Sequence, residues 1–220
     1  SGTRNNAVGY LALSTQTTTN DNTAMGYLAG RYTTGASNTA IGAYAMSAGS
    51  SGGNVSASNV AVGKEALREI TSGGANVAIG VFALDNLSTA SSNVAVGYNA
   101  LSNTQTGAEN VAVGREALEN TIGSGNIGIG YQAGHNVYDG EYNVAIGYQA
   151  LPDTVTGDFN IAIGRTTAQQ MEAGSQNVAI GVDTLNAQQN GNYNIAIGGS
   201  AFRLGSGFNN GVAIGVQAGR

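Results

Sequence analysis

Cysteine and tryptophan are absent from this 220-residue chain, proline occurs once and histidine occurs once. Without cysteine there is no disulfide framework, no thiolate nucleophile and no Cys-based metal site. A single proline beside 35 glycines excludes a collagen-like triple helix, which needs both residues in quantity. Charge is scarce as well: 8 Lys+Arg against 13 Asp+Glu leave a net charge of −5. That balance supplies no basic patch for phosphates, so neither nucleic acid nor an anionic membrane surface is an expected partner. No run approaches the ~20 apolar residues of a membrane span, and no signal-peptide core opens the chain. Membrane insertion of this segment is therefore not expected, and any export or anchoring signal would lie outside it.

What is present is a repeat. The phrase Asn-Val-Ala-Ile-Gly, or a close variant, ends at Gly9, Gly26, Gly42, Gly63, Gly80, Gly97, Gly114, Gly130, Gly147, Gly164, Gly181, Gly198 and Gly215. Spacings are 17 residues except for two of 16 and one of 21, between Gly42 and Gly63. Numbering the phrase from its Asn, position 1 is Asn in twelve of thirteen copies, including Asn76, Asn93, Asn110, Asn143, Asn160 and Asn177; Gly211 is the exception. Position 3 is Ala in twelve, position 4 is Val, Ile or Met in all, and position 5 is always Gly. Position 8 is Ala in eleven copies and position 9 is Leu in seven. A further Gly stands three residues before the Asn in eight linkers, among them Gly73, Gly140 and Gly157.

Positions 2 and 4 are mostly β-branched and two apart, which places them on one face of a strand. The Gly at position 5 suits a bend that a Cβ would resist, and Asn suits a corner because it tolerates the left-handed region. Helix is a poor alternative, since a Gly and a β-branched pair in every unit interrupt any 3.6-residue stripe. The expected fold is all-β: a parallel β-solenoid, or β-roll, of about 13 coils over residues 1–220, with a second short strand at positions 6 to 9. At ~4.8 Å per coil such a rod extends roughly 60 Å. Strands apolar on both faces are normally covered on both sides. The Ala face therefore reads as the contact with another subunit, the alternative being that Ala fits a tightly wound interior.

The phrase at residues 76–80, 143–147 and 177–181 resembles the head repeat of trimeric autotransporter adhesins of the YadA type. Its longer form, Asn143 to Leu151 followed by Thr156-Gly157, is similar to repeats of phage tail fibres. The resemblance covers residues 5–219. It implies a left-handed β-roll, three chains about one axis and a surface that binds host matrix. The unit here is longer than the adhesin repeat, and Ala stands at position 8 where that family has a small polar residue.

Chemistry-bearing motifs are few. Gly123-Ser124-Gly125-Asn126-Ile127-Gly128 matches G-x-G-x-x-G, but that pattern cradles phosphate only between a strand and a helix N-terminus. Here it is a turn entering another copy of the repeat. His135 reads as a solvated linker residue. The carboxylate pairs Glu65/Glu69 and Glu116/Glu119 show no neighbouring nucleophile or base, and the Asp spacing of a calcium-binding roll is missing. Asn54-Val55-Ser56 and Asn86-Leu87-Ser88 are matches too short to carry weight. No enzyme, cofactor or metal site is expected.

Two features mark a possible receptor surface. Aromatic residues precede the Asn at Tyr142, Phe159 and Tyr193, with Tyr138 and Phe208 nearby, an edge strip of the kind that docks sugars or proteins. The longest linker, residues 47–58, reads as a protruding loop. Tyr10, Tyr27, Tyr98, Tyr131 and Tyr148 share position 6 and read as packing beside the corner Gly. The expected function is structural and adhesive: an extracellular segment of a phage tail fibre or related injection-system fibre, homotrimeric, attaching to a host-surface receptor, glycan or matrix protein. The head of a bacterial surface adhesin is the alternative. An ice-binding solenoid is a distant one, because Thr is not regularly arrayed.

Overall fold

The computed structural model describes residues 2–15, 18–47, 56–153, 155–186, 190–203, 207 and 209–219. These residues contain strands and turns and no helix. They fall into two compact units, Ser1–Asn110 and Val111–Arg220. The first holds β1 (Asn6–Val8), β2 (Thr23–Met25), β3 (Thr39–Ile41), β4 (Val60–Val62), β5 (Val77–Ile79) and β6 (Val94–Val96). The second holds β7 (Val111–Val113), β8 (Ile127–Ile129), β9 (Val144–Ile146), β10 (Ile161–Ile163), β11 (Val178–Ile180), β12 (Ile195–Ile197) and β13 (Val212–Ile214). Within each unit every strand pairs in parallel with its sequence neighbours, in register by repeat position, as in Ala61↔Ala78↔Ala95 and Ala145↔Ala162↔Ala179. The 21-residue spacing leaves the register intact, with Ala40 opposite Ala61. The chain is a parallel β-solenoid, one strand per coil.

The faces of the strand are reversed from the sequence expectation. Position 3 points inward: Ala24, Ala61, Ala95, Ala145 and Ala179 are buried within the single chain, while Ala7 in the first coil is exposed. Positions 2 and 4 point outward and are partly to largely exposed. The reason is width. The interior must also hold Ala at position 8, buried in every copy that carries it except the first and the last, and the fully buried Leu67, Leu84, Leu101, Leu118, Leu151 or Leu185 at position 9. A coil this narrow leaves space for only a methyl group opposite a leucine. The Ala column is thus the tight interior and not a subunit contact.

The second expected strand is also corrected. Positions 6 to 9 form a turn in which residues alternate in handedness. Among the described residues, all 35 non-glycine residues with positive φ occupy position 7, position 9 or the residue before the Asn, with φ between 48° and 63°. Each such residue costs roughly 1–2 kcal/mol, offset by hydrogen bonds between coils. In unit 2, Gln149 N–H donates to the Tyr131 carbonyl at 2.9 Å and Leu151 N–H to the Thr167 carbonyl at 2.9 Å.

The repeat's Asn is not the left-handed corner; the residue before it is. The Asn side chain is buried and builds a ladder. Asn76 Oδ1 accepts from Asn93 N–H at 2.9 Å, and Asn76 Nδ2 donates to the Ala90 carbonyl at 3.0 Å. A buried amide satisfied on both ends fixes register, where an unpaired one would be strongly unfavourable. Where position 1 is Gly211, its N–H still donates to Asn194 Oδ1 at 2.9 Å. Close stacking also explains two glycine columns. A Cβ on Gly147, at φ +127°, would lie 2.5 Å from the Gly164 carbonyl oxygen, and one on Gly157 2.0 Å from that of Gly174.

Candidate functional site

The outward positions give each unit an apolar face. Position 4 supplies Val8, Met25, Ile41 and Ile79 in unit 1, all at least 36% exposed, and Val113, Ile129, Ile180 and Ile214 in unit 2. Position 6, just past the Gly bend, adds exposed Tyr10, Tyr27 and Tyr98, then Tyr148, Val182 and Val216. Neighbouring tyrosines of this position stack on one another. Tyr10 and Tyr27 lie 5.4 Å apart at 11°, and Tyr131 and Tyr148 lie 5.2 Å apart at 20°. The pattern was visible in sequence, but its direction was not: Val and Ile look like core residues until the narrow coil turns them outward.

The aromatic strip is partly assembled. Tyr142 and Phe159 stack at 5.3 Å with an 8° interplanar angle, each about half exposed. Tyr142 also lies over Gly125 in the preceding coil, where an added Cβ would meet its ring at 2.5 Å. Both faces of Tyr142 are therefore covered, and it offers its edge and hydroxyl. Tyr193 holds the same position two coils beyond Phe159, with Gln176 between them, so it does not extend that stack. Tyr193 and Tyr138 are both more than half exposed. Phe208, and residues 48–55 of the long linker, lie outside the described residues.

A polar cluster sits on the turn side of unit 2. His135 is half-buried, not free in solvent, with Nε2 2.9 Å from Glu119 Oε2. One coil separates the two, at the same repeat position. Glu116, three residues before Glu119, accepts from Gln132 Nε2 at 2.8 Å and from Arg115 Nε at 2.8 Å. These bonds, that of Gln132 foremost, hold its carboxyl below the ordinary range. Gln149 Nε2 donates in turn to Gln132 Oε1 at 2.8 Å. Donor atoms of Glu116, Glu119 and His135 lie within 4.8 Å of one another. The sequence reading missed this cluster because residues 16 and 19 apart meet only once the coil length is known.

Glu65 and Glu69 are tied to Arg68, which also reaches Asp85 in the next coil at 3.1 Å. Burial pushes the Asp85 carboxyl up to about 6, against the opposing pull of Arg68 and with the help of Glu65 and Glu69. No described helix is long and apolar enough to cross a membrane. The G-x-G-x-x-G stretch runs from a turn into β8, without a helix to receive phosphate. The chain matches no family model, no curated protein and no solved structure.

Proposed function

We propose that this chain is a structural and adhesive segment of a phage tail fibre or related injection-system fibre, working as a homotrimer outside the cell. The observation that carries the proposal is the outward row of Val, Ile and Tyr in both units. Parallel sheets are normally covered on both faces, and soluble monomers rarely leave a large contiguous apolar patch open. The covering partner is another copy of the chain, because a face made of identical rungs is self-complementary about a symmetry axis. Three copies, and a left-handed coil, follow from the resemblance of Asn143-Val-Ala-Ile-Gly147 and its equivalents to trimeric adhesin heads and tail fibres. A solenoid built from local contacts supplies length and stiffness, leaving linkers free to vary.

Attachment to a host-surface glycan or matrix protein is assigned to the exposed aromatics Tyr138, Tyr142, Phe159 and Tyr193. Closed stacking of Tyr142 favours contacts through ring edges and hydroxyls over a sugar laid on a ring face. The head of a bacterial surface adhesin would use the same surfaces. An ice-binding role is disfavoured because Val, Ile and Tyr, and not a Thr array, fill the outward positions. The test is binding of the untagged chain to glycan and matrix-protein arrays and to bacterial envelopes, beside a Tyr142→Ala/Phe159→Ala variant. Binding that falls at least tenfold in the variant is expected. No binding to any of these surfaces, or ice-recrystallisation inhibition instead, would overturn the assignment.

A further inference from the structure

We propose that Glu116, Glu119 and His135 bind a divalent transition-metal ion of the zinc type across two successive coils of unit 2. The proposal is independent of the fibre reading. The donor set is one imidazole nitrogen and two carboxylates, which suits borderline ions such as Zn²⁺ and is a poor match for Mg²⁺ or Ca²⁺, which prefer all-oxygen shells. Metal–ligand bonds of ~2.1 Å at tetrahedral angles put ligand atoms roughly 3.4 Å apart. The 2.9 Å contact of His135 Nε2 with Glu119 Oε2 and the 4.8 Å bound on the whole group bracket that separation. Small side-chain rotations therefore suffice to enclose an ion, leaving one position for water or a further ligand.

The surroundings fit the same reading. Arg115 and Gln132 fix the orientation of Glu116, and Gln149 fixes Gln132. Such outer contacts hold a ligating carboxylate in place, and each carboxylate oxygen keeps a second lone pair for the metal. Arg115 is itself drawn over the Tyr131 ring, 5.7 Å from its centre. Two carboxylates against one guanidinium leave a net negative charge on these three side chains, which attracts a dication. Binding replaces the hydrogen bond between His135 and Glu119, with the metal on Nε2 and the imidazole proton on Nδ1, and joins the coils of β7 and β8 through a metal bridge.

The chain has 1 His and no Cys, so any imidazole-dependent binding in the untagged protein belongs to His135. Calorimetric titration with ZnCl₂ is expected to give one site per chain, with MgCl₂ binding at least tenfold weaker. His135→Asn and Glu119→Gln should each weaken zinc binding at least tenfold. Should either variant fail to fold, the wild-type chain still decides the matter: its single imidazole resonance should shift on adding Zn²⁺ and stay fixed on adding Mg²⁺. An unmoved imidazole signal, absent heat up to millimolar zinc, or unchanged affinity in folded His135→Asn would overturn the site.

Discussion

Asn143 Oδ1 accepts two hydrogen bonds from Asn160, from its backbone N–H at 2.9 Å and its side-chain amide at 3.0 Å, while Asn143 Nδ2 donates to the Gly157 carbonyl at 2.9 Å. One buried amide thus satisfies groups on the next coil at two places. Asn143→Ala leaves a buried N–H and a buried carbonyl without partners, and a loss of about 2–4 kcal/mol is expected. Urea unfolding of the two proteins checks this. A change under 1 kcal/mol would show that water replaces the ladder.

Gly147→Ala is expected to cost about 3 kcal/mol or more. Its Cβ would sit 2.5 Å from the Gly164 carbonyl oxygen at a φ of +127°, combining backbone strain with overpacking. Gly199→Ala is the control, since the nearest atom to its added Cβ is 4.0 Å away and its φ is not positive. Thermal unfolding should separate the two widely.

At the exposed residue before the Asn, the left-handed backbone is costly without a packing return. Gln176 has φ +59° and an open side chain. Gln176→Gly relieves that strain, and a gain of about 0.5–1 kcal/mol is expected in spite of the greater freedom of glycine when unfolded. A destabilised variant in chemical unfolding would contradict the assigned conformation.

Asp85 gives a pH dependence of defined sign. Its carboxyl is raised to about 6 in the fold, above the ordinary ~3.9 of an unfolded Asp. The folded state therefore binds the proton more tightly, and stability from this group increases as pH falls from about 7 toward 4. Asp85→Asn should flatten that slope, with a difference of the order of 2 kcal/mol across the window. Denaturant midpoints at pH 4.5, 6 and 7.5 measure it; an identical slope in the variant would count against the assignment.

The repeat made the fold legible because its length, its strand and its Gly bend are each imposed by backbone stacking, which sequence records directly. Orientation was harder. Ala and Val are both apolar, and only the size of the position 9 leucines decides which of them fits inside. The role of Asn was likewise hidden, since a corner residue and a buried amide ladder leave the same column in the sequence. Left-handed Leu84 and Leu118 carry no local signal at all: coil-to-coil hydrogen bonds impose their conformation against propensity. His135 and Glu119, 16 residues apart, meet only through the coil.

The outward apolar rows are the most consequential feature of the surface, and their cover can be weighed. Light scattering of the untagged chain during size exclusion should give about three times the 22.0 kDa of one chain, and replacing Ile129 and Ile180 by Lys should lower that mass while leaving the circular dichroism unchanged. A wild-type chain that runs as a stable 22.0 kDa monomer at micromolar concentration would contradict the proposed assembly.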